Sequence, residues 1–102
     1  MMSPREDLIA TSSARVAQIT LQPREESPWH YHTELTEHVF CLQGTIHLEG
    51  RNPVRHMCLQ TGDRCDVNAL EEHRFVNATT TSSTYLLVQS GTYDFIPTES
   101  EP

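Results

Sequence analysis

The chain has no lysine; its cations are seven arginines scattered from Arg5 to Arg74. Schiff-base catalysis is thereby excluded, which leaves metal, histidine, carboxylate and thiol chemistry. A net charge of −7 with no cluster of cations argues against nucleic acid as a partner, because phosphate contacts need concentrated positive charge. Long apolar runs are missing as well. The hydrophobic fraction is 36% in short stretches, and nothing approaches the ~20 residues of a membrane span, so a soluble protein with no membrane partner is expected. Met1 to Asp7 lacks the basic start and apolar stretch of a secretory signal, which points to the cytoplasm. Cys41, Cys58 and Cys65 are odd in number and follow no paired spacing, as reduced thiols do.

What the chain does have is histidine in a telling place. His30 and His32 are two apart, so on a strand their side chains share a face at a backbone separation of ~6.6 Å. Tyr31 then faces the other side. Glu37 follows His32 at an odd offset, so an unbroken strand would aim it the wrong way, and a bend is required within Thr33–Thr36. After that bend, Glu37, Val39 and Cys41 point inward together. His73 is a third candidate imidazole. Three histidines and one glutamate make an N/O donor set suited to one divalent transition ion, Fe, Mn, Ni, Co or Zn. Such an ion held by four side chains keeps open positions, where chemistry takes place.

The remaining pattern is of short strands separated by turn signals, with no long helical period, which argues an all-β sandwich or barrel. Strands are expected over 16–21, from 37 to Gly44, and over 45–49, 55–59, 64–67, 73–77 and 84–89, with turns at 50–53 and 61–63. Residues 1–14 are expected to be a flexible N-terminal segment, 15–96 the single folded domain, and 97–102 a disordered acidic tail, with Tyr93 and Phe95 packing before it. A domain of this length has little core to spare, and dimerisation would add buried surface.

His30-x-His32, four residues, Glu37, six residues and Gly44 resemble the first cupin motif. Gly62, His73 eleven residues later and Asn77 four beyond that resemble the second. The resemblance covers about residues 15–90, and all four metal-binding positions match, at His30, His32, Glu37 and His73. Departures fall at turn positions. The family's usual proline and glycine between Gly62 and His73 are Asn68 and Leu70, and the glycine expected six residues before His30 is Arg24. Asn68 can itself supply turn geometry, so altered loops on an intact fold are expected. The resemblance implies a double-stranded β-helix, the jelly-roll cupin barrel of the small RmlC-like type, a single bound metal ion and a homodimer.

The same resemblance implies a small-molecule ligand or substrate. A dioxygenase or related oxygen-using metalloenzyme is favoured. The rivals are a non-redox isomerase, lyase or decarboxylase using the ion as a Lewis acid, and a non-catalytic module for a sugar or small acid. Cupin lyases acting on dimethylsulfoniopropionate carry a tyrosine two residues after the ligand glutamate; Val39 stands there. Sugar phosphates are disfavoured by the shortage of cations. No catalytic base is identifiable. His38 should face away from the metal, and His47 and His56 read as solvated strand residues. Cys41, Cys58 and Cys65 read as small core residues. Phe75 and Trp29 are candidate pocket walls that more simply pack, Arg64 is a candidate carboxylate anchor, and Glu25-Glu26 and Glu71-Glu72 read as solvated loop charges.

Overall fold

A computed structural model describes residues 5–98. They form ten strands and no helix: β1 (Arg5–Ala10), β2 (Ala14–Leu21), β3 (His30–Tyr31), β4 (Glu34–Gln43), β5 (Thr45–Gly50), β6 (Arg55–Gln60), β7 (Arg64–Val67), β8 (His73–Val76), β9 (Ser83–Thr92) and β10 (Ile96–Pro97). Two five-stranded antiparallel sheets, ordered β1-β2-β9-β4-β7 and β10-β3-β8-β5-β6, make the double-stranded β-helix.

Strict alternation builds the core. Along β4 the buried residues are Leu35, Glu37, Val39 and Cys41, and along β9 they are Ser83, Tyr85, Leu87 and Gln89, as the period of two demands. Val39, Cys41, Cys65, Val67, Tyr85 and Leu87 of one sheet meet Ile46, Leu48, Leu59 and Phe75 of the other in one apolar cluster. The β4–β5 hairpin turns at Gly44, whose φ is +79° and where any Cβ would collide with the side chain of Ser83.

Within the segment expected to be flexible, Arg5–Ala10 forms an edge strand paired with β2, with a register shift between Asp7 and Ile9. Its side chains are mostly exposed, so backbone pairing rather than burial holds it, and pairing leaves no apolar period to read. Of the expected flexible and disordered termini, residues 1–4 and 99–102 lie outside the described residues; Pro97 belongs to β10, paired with His30.

Other expectations also change. Cys58 is exposed, whereas Cys41 and Cys65 are buried. Glu71 is buried with its Oε2 2.6 Å from Arg55 Nη1, and Glu72 pairs with Arg51 at 2.9 Å. Both are ion-paired rather than free charges, and the Glu71 carbonyl accepts from His73 Nδ1. His47 and His56 are strand residues towards solvent, as expected, and stack on each other with Nδ1 and Nε2 3.0 Å apart.

Candidate metal centre

The bend that parity required is at Thr33, between β3 and β4. Asp94 holds it: the Thr33 N–H donates to Oδ1 at 2.9 Å, and the Thr33 hydroxyl donates to Oδ2. The bend returns Glu37 to the inside. His30 and His73 are direct cross-strand partners on β3 and β8, with ring centroids 4.4 Å apart. Glu37 arrives from the opposite sheet, paired in register with Gln89. The structure thus gathers His30, His32, Glu37 and His73, all buried, with one donor atom of each within 4.8 Å of all the others.

Each imidazole is pinned in the same sense. A backbone carbonyl can only accept, so Nδ1 must donate: His30 to Pro28 O at 2.8 Å, His73 to Glu71 O at 2.8 Å, and His32 to Asp94 O. In the neutral rings Nε2 is then a bare lone pair. His73 Nε2 lies 2.8 Å and His32 Nε2 3.0 Å from the same carboxylate oxygen, Glu37 Oε1. The His32 contact lacks hydrogen-bond alignment, leaving that nitrogen buried and without a hydrogen-bond partner. Lone pairs converging on an anionic oxygen call for a cation between them. The spacing suits one, since cis ligands ~2.1 Å from a common ion lie ~3 Å apart. Carbonyls behind the rings fix tautomer and orientation, as the outer partners of metal-bound histidines do.

The electrostatics agree. Burial, reinforced by neighbouring His73, lowers His30 to about 4, so its ring is neutral and available as a ligand near neutrality. Burial would also lower His32, but Glu37 and Asp94 outweigh it and raise the group. For Glu37, burial alone would raise the carboxyl; His32 and His73 reverse that and hold it well below the usual carboxylate range. A carboxylate kept ionised beside ring nitrogens that converge on it is a ready cation site.

A cavity of about 230 Å³ opens from this centre. Its walls are largely apolar, from Ile19, Leu21, Phe75, Tyr85 and Leu87, and Tyr93 and Phe95 stand half-exposed at its mouth. Phe95 stacks on His30 at 4.4 Å, and Arg15 covers Tyr93 at 3.7 Å, so these two aromatics pack as expected but also shape the opening. Phe75 lines the cavity. Trp29 does not; it lies under Arg51 and Arg74. Arg64 is largely exposed beside Asp66 and Phe40, outside the cavity, so the one arginine among the lining residues is Arg5. His38 faces outward to Asp66 at 2.8 Å.

Two residues of the site escaped the sequence reading. Asp94 belongs to a tail without periodicity. Gln89 lies on a strand where Tyr85 and Leu87 alternate with Leu86 and Val88, so either face reads as apolar; only the Glu37 register reveals which is inside.

Residues 17–89 match the family described as Cupin domain. The chain belongs to this family. Similar solved structures have the same fold. A double-stranded β-helix protein of Klebsiella pneumoniae superposes with a TM-score of 0.80 at 18% identity, over 94% of this cupin and 84% of that chain. The polyketide cyclase RemF of Streptomyces resistomycificus gives 0.79 at 18%, over 95% and 71%. A cupin-superfamily sugar phosphate isomerase of Silicibacter pomeroyi gives 0.71 at 27%, over 85% of this chain and only 59% of that one. No curated protein matches the sequence at a significant level.

The glycine departures acquire a physical meaning here. Arg24 and Leu70 stand where the motifs have glycine, and both adopt left-handed backbone, with φ of +68° and +69°. The loops keep the shape that favours glycine although the residues differ. That shape matters at Leu70, whose N–H donates to His32 O at 2.7 Å.

Proposed function

We propose that this cupin is a metal-dependent enzyme of the dioxygenase type, acting on a small organic molecule admitted through the apolar cavity. One observation carries the reading: a complete three-histidine, one-glutamate donor set, with every ring pinned through Nδ1, lies at the inner end of a largely apolar cavity. A divalent ion bound there supplies Lewis acidity and, if it is iron, redox chemistry. The chain's own residues hold and orient. Pro28, Asp94 and Glu71 carbonyls aim the imidazoles, Gln89 steadies Glu37, and the apolar walls exclude water from the bound molecule.

Isomerases, lyases and decarboxylases on the same ion need a side chain that takes and returns a proton. Outside the donor set the lining carboxylates are Glu25 and Glu26, both exposed. Glu25 accepts from the Gln22 N–H at 2.8 Å and Glu26 pairs with Arg74 at 3.2 Å. Burial pushes the Tyr85 phenol far up, with Glu37 adding to the effect, so it stays protonated. Oxygen chemistry asks less of such a pocket. The likeness to the sugar phosphate isomerase is the observation that keeps the non-redox reading as second choice; a sugar or small-acid binding module ranks third.

Protein purified anaerobically without chelator is expected to carry near-stoichiometric iron, lost in His30→Ala and Glu37→Ala, and to consume oxygen with members of a small-molecule panel. Equal turnover under nitrogen would transfer the reading to the isomerase and lyase class. Saturable binding with no product would leave the module.

A further inference from the structure

Gln89 is a polar side chain on an apolar strand face, in phase with Tyr85 and Leu87 and 3% exposed. Its Nε2 donates to Glu37 Oε2 at 3.1 Å. The way round is dictated by chemistry, since a carboxylate offers only lone pairs to this amide and the –NH2 must face it. The amide oxygen therefore turns elsewhere, and it is buried with no hydrogen-bond partner among the described residues. A buried carbonyl left unpaired destabilises a fold unless something donates to it. Gln89 also lines the cavity, together with His30, His32 and Glu37.

We propose that Gln89 is the specificity residue of this cupin: its Oε1 accepts a hydrogen bond from an O–H or N–H of the bound molecule, and the apolar body of that molecule is a ring lying among Phe75, Tyr85, Leu87 and Phe95. The inference rests on the metal-dependent pocket described above and deepens it by naming the substrate class, small hydroxylated or amino-bearing ring compounds. The two ends of one amide do different work. Nε2 orients the carboxylate that completes the donor set, and Oε1 reads the ligand. Four lining aromatics, Phe75, Tyr85, Tyr93 and Phe95, suit a flat apolar body better than a sugar. A site built to accept from a donor rejects the isostere lacking it more strongly than an apolar pocket distinguishes shapes.

The test compares phenol with anisole, the same ring with its donor capped. Both are titrated by ligand-observed NMR against wild type, Gln89→Leu and Gln89→Met at saturating zinc, an ion that cannot turn them over, and bound zinc is measured in parallel. Wild type is expected to prefer phenol about tenfold, the ratio of one net hydrogen bond. Either folded variant is expected to bind both within about twofold while retaining zinc on its four ligands. Equal binding of the two probes by wild type, a preference that survives in a variant, or no saturable binding of either probe overturns the inference. Wild type that takes up no zinc defeats the metal reading instead. The phenol and anisole comparison on the metal-free protein then still decides the role of Gln89.

Discussion

The barrel interior has two ends built from the same strands on opposite chemical rules. Towards one end Val39, Cys41, Ile46, Leu48, Leu59 and Val67 pack as hydrocarbon, each nearly or wholly excluded from water. At the other end His30, His32, Glu37, His73 and Gln89 are buried just as deeply. Glu37 and Val39 are two residues apart on β4, so the change from ionised to apolar interior takes one step of the pleat. Burial therefore says nothing of role in this barrel. At the apolar end it supplies folding free energy; at the polar end it costs stability, which a cation held by the four side chains would recover.

Substitution separates the two ends, and the largest expected effect is on metal. His32→Ala removes one of four donors whose Nε2 has no other partner, and should abolish stoichiometric metal binding while leaving the apo barrel folded, as calorimetry on apo and loaded protein reads directly. Ile46→Ala, at a site with no exposure, should do the reverse. It lowers unfolding free energy by about 2–5 kcal/mol and leaves metal stoichiometry intact in the folded fraction. If Ile46→Ala lost metal at concentrations where it is folded, or His32→Ala failed to fold, the two ends would not be separable.

A subtler probe acts through the bend. Asp94→Ala keeps the carbonyl that receives His32 Nδ1 but deletes both side-chain bonds that fix Thr33. Metal affinity should fall about tenfold, at the lower edge of what loss of an outer partner costs, with stoichiometry recovered at higher metal. An unchanged affinity would show that the β3–β4 turn holds its shape without Asp94.

The polar end was the more legible of the two in the sequence. Spacing picks out His30, His32 and Glu37, the likeness to the second cupin motif adds His73, and parity alone demands the turn between His32 and Glu37, because carboxylates and imidazoles are rare enough inside a barrel for their offsets to carry meaning. The apolar end is legible only as strands: Leu86 and Val88 look as fit for burial as Tyr85 and Leu87, and the same ambiguity hides Gln89. What no pattern reveals is anything held by backbone alone, such as the pairing of β1 with β2 or the carbonyl of Asp94 behind His32.

The smallest effects are expected in the loops that carry the polar end, where Leu70 and Arg24 hold left-handed backbone without being glycine. A non-glycine residue in that region costs about 1–2 kcal/mol, and glycine gives back part of the relief through its freer unfolded chain. Leu70 is two-thirds exposed and loses little burial on truncation, so Leu70→Gly should stabilise the fold by up to about 1 kcal/mol. Arg24 also donates from Nη1 to Ala78 O at 2.8 Å, so Arg24→Gly gives up a contact as it relieves the backbone and should come out nearer to neutral. Denaturant midpoints of the two variants against wild type measure the difference. Destabilisation by Leu70→Gly would mean that the leucine, and not the backbone shape beneath it, holds the loop that anchors His32 and His73.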